Sequence, residues 1–114
     1  MGKRCFLLVG KDSLFKQIML RLLMDMTGNI EVFESAADDV DHLLEEVSKI
    51  DPDTILFEAS SPLSAKSCLV HVLIAKPGCP VIMISQEQNW MHVVRWETVQ
   101  IGSANDLIKT FKHI

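Results

Sequence analysis

A chain of 114 residues has room for one domain built around one hydrophobic core. With 48% hydrophobic and 23% charged residues it has the composition of a folded globular protein, which excludes a disordered tail too poor in apolar groups to offset chain entropy. Eleven Lys and Arg against fifteen Asp and Glu leave a net charge of -4, and phosphate-backbone binding rests on clustered positive charge, so no nucleic-acid partner is expected.

The chain opens with Lys3-Arg4 and an apolar run from Cys5 to Val9. That run is too short for a signal-peptide core or a membrane span, so a cytoplasmic protein with no membrane partner is expected. Arg4 to Gly10 instead predicts a strand buried on both faces, as in a parallel sheet covered by helices. From Ser13 to Met26, Leu14, Phe15, Ile18, Met19, Leu22, Leu23 and Met26 recur at helical spacing. Asp12 or Ser13 supplies its N-cap, and Thr27-Gly28-Asn29 its stop.

Ile30 to Glu34 reads as a second strand, and Asp38 to Ile50 as a helix with Val40, Leu43, Leu44, Val47 and Ile50 inward. Asp38, Asp39 and Asp41 suit the positive end of its dipole. A turn at Asp51-Pro52-Asp53 leads to a strand over Thr54–Glu58, a helix over Ser64–Ala75 and a strand over Pro80–Ser85. From Gln86 to Gly102 there is no helical stripe, so a loop and extended segments are expected, with the fifth strand between Met91 and Gly102. Ser103-Ala-Asn-Asp106 has capping-box-like spacing and opens a last helix through Ile114. Strands alternating with helices predict an α/β fold: one flavodoxin-like, doubly wound, five-stranded parallel sheet of order 2-1-3-4-5.

Cys5, Cys68 and Cys79 are an odd number without C-x-x-C spacing, as free thiols in a reducing compartment would be. His42, His71, His92 and His113 are scattered, no two at i, i+4, so no metal is expected; His71 reads as a partly buried packing residue. Gly10-Lys11 lacks the flanking Gly and hydroxyl of a phosphate-binding loop, and its single hydroxyl, Ser13, is too little for a flavin. Ser60-Ser61 has no His near it to activate a nucleophile, so polar loop residues are the default there.

In sheets of this kind ligands meet the carboxyl ends of the strands. Those ends carry Gly10-Lys11-Asp12, Glu58-Ala-Ser-Ser-Pro62 and Ser85. The pattern resembles the receiver domain of bacterial response regulators over nearly the whole chain. Phe6 to Ser13 with the following helix looks like that family's opening, Glu58-x-x-x-Pro62 like its Asp-x-x-x-Pro loop, and Pro80 to Ser85 like its fourth strand.

Receivers take a phosphoryl group from a histidine kinase onto an aspartate, with Mg²⁺ held by neighbouring acids and with a Lys and a hydroxyl on the phosphoryl oxygens. Carried onto this chain, the acidic pair falls at Gly10 and Lys11, and the phosphoacceptor position is Glu58. The hydroxyl is kept as Ser85, and the Lys position, between Gln100 and Gly102, holds no Lys. The resemblance therefore implies a pseudo-receiver. Asp12 is left as one candidate metal ligand, with an N-cap role as its other reading. Lys11 is expected to reach the Glu58 carboxylate, replace the metal and lock one conformation; the other role open to Glu58 is a permanent mimic of the charged state.

Receivers also use the region after their fourth strand for output and dimerisation. Here the stretch after Ser85 is too short for a full helix between the last two strands, so that face is expected to be remodelled, with Trp90, Met91, Val93, Val94 and Trp96 as core anchors or an interaction surface. The expected function is a non-enzymatic, phosphorylation-independent interaction module that binds a protein partner or itself, with no cofactor and no small-molecule substrate. The alternative is a phosphorelay receiver whose irregular site still takes a phosphoryl group with Mg²⁺.

Overall fold

The computed structural model describes residues 4–11, 13–26, 28–61, 63, 66–85, 87–88, 90–95 and 102–112, with residues 13 and 66 described in backbone only. Among the described residues five strands form one mixed sheet of order β2-β1-β3-β4-β5, accompanied by four helices. The strands are β1 (Arg4–Val9), β2 (Ile30–Glu34), β3 (Thr54–Glu58), β4 (Val81–Ser85) and β5 (Trp90–Val94). The helices are α1 (Ser13–Met24), α2 (Val40–Ile50), α3 (Lys66–Ala75) and α4 (Ala104–Lys112). No helix among the described residues is long and apolar enough to cross a membrane.

The continuous apolar runs become central strands. Phe6 to Val9 and Thr54 to Phe57 are wholly buried, because helices cover both faces of β1 and β3. On one face Leu7, Val9, Ile55, Phe57 and Val81 pack under α2 (Leu43, Val47) and α3 (Leu69, Val72, Leu73). On the other, Phe6, Leu8 and Leu56 pack under Phe15, Met19 and Leu23 of α1. The odd–even alternation of a strand thus sorts one run of sequence into two cores.

One expectation is corrected. β1, β2, β3 and β4 are mutually parallel, but β5 runs antiparallel to β4, with Ser85 opposite Trp90 and Val81 opposite Val94. Only four residues separate the two strands, and a parallel crossover needs about a dozen. The link is a hairpin, and no helix stands between β4 and β5 among the described residues. The last helix has no buried residue, so α4 does not share in either core.

Helix ends follow the local chemistry. Asp39 caps α2, its carboxylate accepting the His42 backbone N–H at 2.9 Å, and Asp51 closes that helix in the left-handed region at φ 54°. The capping box expected at α4 is displaced by one residue, with the Asp106 carboxylate accepting the Gly102 N–H at 3.1 Å. At α2 the His42 N–H holds the Asp39 carboxyl below its usual range, and the hydrogen bond to Asp39 raises the His42 imidazole above 6.5. A depressed acid contributes stability that is lost as pH falls through its folded value. A raised His contributes stability that is lost as pH rises through its folded value. The cap is therefore fully formed between about pH 4 and pH 6.5. Asp39→Asn should lower the His42 midpoint in a proton NMR titration; an unmoved midpoint would show that the pair is not formed in solution.

Candidate functional site

The carboxyl ends of β1, β3 and β4 meet along one edge of the sheet, and Glu58 stands among them. Thr54, Leu56 and Glu58 alternate onto the α1 face, so the Glu58 side chain leans over the residue that follows β1. That residue is Gly10. A Cβ built there would lie 2.7 Å from Glu58 Oε2, 2.9 Å from Glu58 Cβ and 3.3 Å from Phe15 Cδ2. Glycine is required here by close approach, since Glu58 fills the space that any side chain at position 10 would need. The Ser60 hydroxyl donates to Glu58 Oε1, and the Ser61 backbone N–H donates to the Glu58 carbonyl at 3.0 Å. Half-buried Glu58 is thus held from two sides by its own loop.

Lys11 does not pair with Glu58. Its ammonium lies 3.4 Å from Asp38 at the head of the β2–α2 connection, and both side chains are exposed. A pair in that setting is worth between zero and about 1 kcal/mol. The expected Lys11–Glu58 lock is thereby overturned: Lys11 points along the surface to an acid 27 positions away, which no local spacing advertises. Ser35 and Glu46 were likewise invisible in the sequence. The Ser35 hydroxyl donates to Glu46, which also accepts the Ala36 N–H at 2.9 Å and so ties α2 to the loop beside the site.

Two shallow clefts open at this edge. One, of about 390 Å³, is lined by Gly10, Lys11, Lys16, Ser35, Asp38 and Ser61, among others. The other, of about 260 Å³, brings together Glu58, Ser60, Ser85, Glu87, Gln88 and Trp90, among others. Ser85 is thus placed with Glu58, and its hydroxyl accepts the Gln88 backbone N–H at 3.3 Å. Ser61 is buried and its hydroxyl accepts the Leu63 N–H, in keeping with a loop role.

Trp90 donates from Nε1 to Gln88 Oε1 at 2.8 Å and stacks on His92 with ring centroids 4.1 Å apart. The candidate surface on β5 is split by strand alternation. Trp90, His92 and Val94 lie on the α2–α3 face, and Met91 and Val93 lie on the α1 face. Val94 packs against the core and Met91 is exposed. His71 is exposed rather than packed, its Nδ1 2.6 Å from the Ser67 carbonyl. Asp12, Pro62, Trp96, Gln100, Ile101 and His113 lie outside the described residues. All three cysteines are free, Cys68 and Cys79 buried and Cys5 half-buried, and burial raises each thiol.

Among the described residues no three His, Cys, Asp or Glu side chains stand together in a group that could hold a metal ion, and Gly10 and Lys11, which follow β1, offer no carboxylate to a hard cation. The fold and edge define an α/β protein of mixed five-stranded sheet, with the Glu58 carboxylate fixed over a glycine at the strand ends. No protein-family model, no curated protein and no solved structure matches the chain.

Proposed function

We propose that this chain is a flavodoxin-like, doubly wound pseudo-receiver: a receiver-like domain in signal transduction that transfers no phosphoryl group and acts by binding protein. The observation that carries the reading is the seat of Glu58. A receiver needs one carboxylate to accept phosphoryl and two more to hold Mg²⁺ beside it. Here the carboxylate at the acceptor position occupies the volume of one missing acid, and the other is replaced by a cation that pairs with Asp38. The longer side chain also moves the carboxylate by more than about 1 Å, a displacement that can cost about 10²-fold in rate.

With the lock to Lys11 gone, the remaining role for Glu58 is a permanent negative charge at the position receivers charge by phosphorylation. Output then passes through contact with a protein partner or a second copy. Trp90 sits in the Glu58 cleft and reports on it. Tryptophan fluorescence is expected to stay flat when Mg²⁺ and then beryllofluoride are titrated in. A saturable change that requires both would overturn the reading in favour of a working phosphoacceptor.

A further inference from the structure

We propose that the edge strand β5 is an interface between two copies of this chain, pairing antiparallel with β5 of the second copy to join the two sheets into one. β5 ends the sheet. Among the described residues β4 is its one strand neighbour, and the row of backbone N–H and C=O groups on its other side has no ladder partner. Its sequence, Trp-Met-His-Val-Val, holds no Pro, Gly, Lys, Asp or Glu, and Met91 and Val93 are 60% and 50% exposed. The opposite edge is protected. β2 carries Glu31 and Glu34, both exposed, and no base, so two copies of β2 would bring only like charges together. One edge is guarded and the other is open.

Charge selects the occupant. Glu87 precedes β5 and Arg95 follows it, each four positions from Met91, and both side chains are exposed. Among the described residues neither has an ion-pair partner. An antiparallel pair centred on Met91 brings Arg95 of each copy to Glu87 of the other, and a two-fold axis makes that contact twice. The same register sets Trp90 opposite His92 of the second copy. It thereby extends across the join a stack already present within the chain, where the ring centroids are 4.1 Å apart. On the α1 face Met91 meets Met91, with Val93 beside it. A strand flanked by opposite charges is complementary to its own reverse, which singles out a second copy over an unrelated strand.

The contact uses the backbone edge and the side chains from Glu87 to Arg95, and it asks nothing of a helix face. Two five-residue strands joined along their edges make a small interface, of the weak class below about 1,200 Å². Association is therefore expected at micromolar concentrations and above, with rapid exchange between monomer and dimer. The proposal rests on the reading that output passes through protein contact, and it names the second copy as the partner. The two fail separately: a chain that never dimerises removes this interface and leaves the flat response to Mg²⁺ and beryllofluoride as it stands.

Sedimentation equilibrium of the full chain, from about 10 to about 500 µM, should show the average mass rising towards that of a dimer. Met91→Lys sets two like charges side by side at the centre of the pair and should weaken association at least about tenfold. Met91 is exposed in the single chain, so the variant should keep the wild-type circular dichroism. Arg95→Glu alone should weaken association about fivefold, and Glu87→Arg combined with Arg95→Glu should restore it to within about twofold. That restoration is the supporting result, since a merely sticky edge would not show it. A monomer at every concentration would overturn the proposal, as would a dimer indifferent to Met91→Lys. A charge swap that fails to restore the dimer would overturn the antiparallel pairing on which the proposal stands.

Discussion

Phe15→Ala should lower stability by about 3–5 kcal/mol, a large part of the roughly 5–15 kcal/mol that holds a domain of this size. Phe15 is fully buried and is the side chain by which α1 grips Phe6, Leu8 and Leu56 of the sheet. It also lies under the Gly10–Glu58 contact. Loss of the ring leaves a cavity at the root of the helix, where the surrounding strands cannot collapse to fill it. Phe33, on the edge strand β2 and 36% exposed, gives the comparison. Phe33→Ala should cost well under half as much in the same denaturant titration. Equal costs would mean that α1 is not anchored as described.

Gly10→Ala is the second large effect, at about 1–3 kcal/mol, and its cause is overpacking. The Glu58 carboxylate end can swing aside, but its Cβ is fixed by strand β3 and would stand 2.9 Å from the new methyl. The effect should therefore depend on residue 58. In a double-mutant cycle, Glu58→Gly should relieve the Gly10→Ala cost, with a coupling of about 1 kcal/mol or more. Strict additivity would contradict the close approach on which the functional reading rests.

The sequence made much of this legible. Unbroken apolar runs announced β1 and β3, and the stripe from Phe15 to Leu23 announced α1, because burial on one or both faces imposes a period that residues must obey. The order of the strands followed from their alternation with helices. The direction of β5 did not, since a short edge strand alternates alike whichever way it runs. What decides it is the four-residue link from Ser85 to Trp90, too short for a crossover.

The site was legible only in part. Gly10, Lys11, Glu58 and Ser85 stand at strand ends, where the alternation puts them. Partners across loops were hidden: Asp38 reads locally as a dipole-complementing acid, and only the fold brings it to Lys11. The last helix was legible from the capping-like spacing of Ser103 and Asp106 alone, a local signal that says where a helix starts and not what it packs against.

The most direct test of the central claim is the intact mass of the protein after incubation with Mg²⁺ and acetyl phosphate. A carboxylate seated over Gly10, with Gly10 and Lys11 at the positions of the acidic pair, should acquire no phosphoryl group, and the mass should stay that of the unmodified chain. One phosphoryl adduct, present in the wild type and lost in Glu58→Gln, would contradict the account and make Glu58 a working phosphoacceptor.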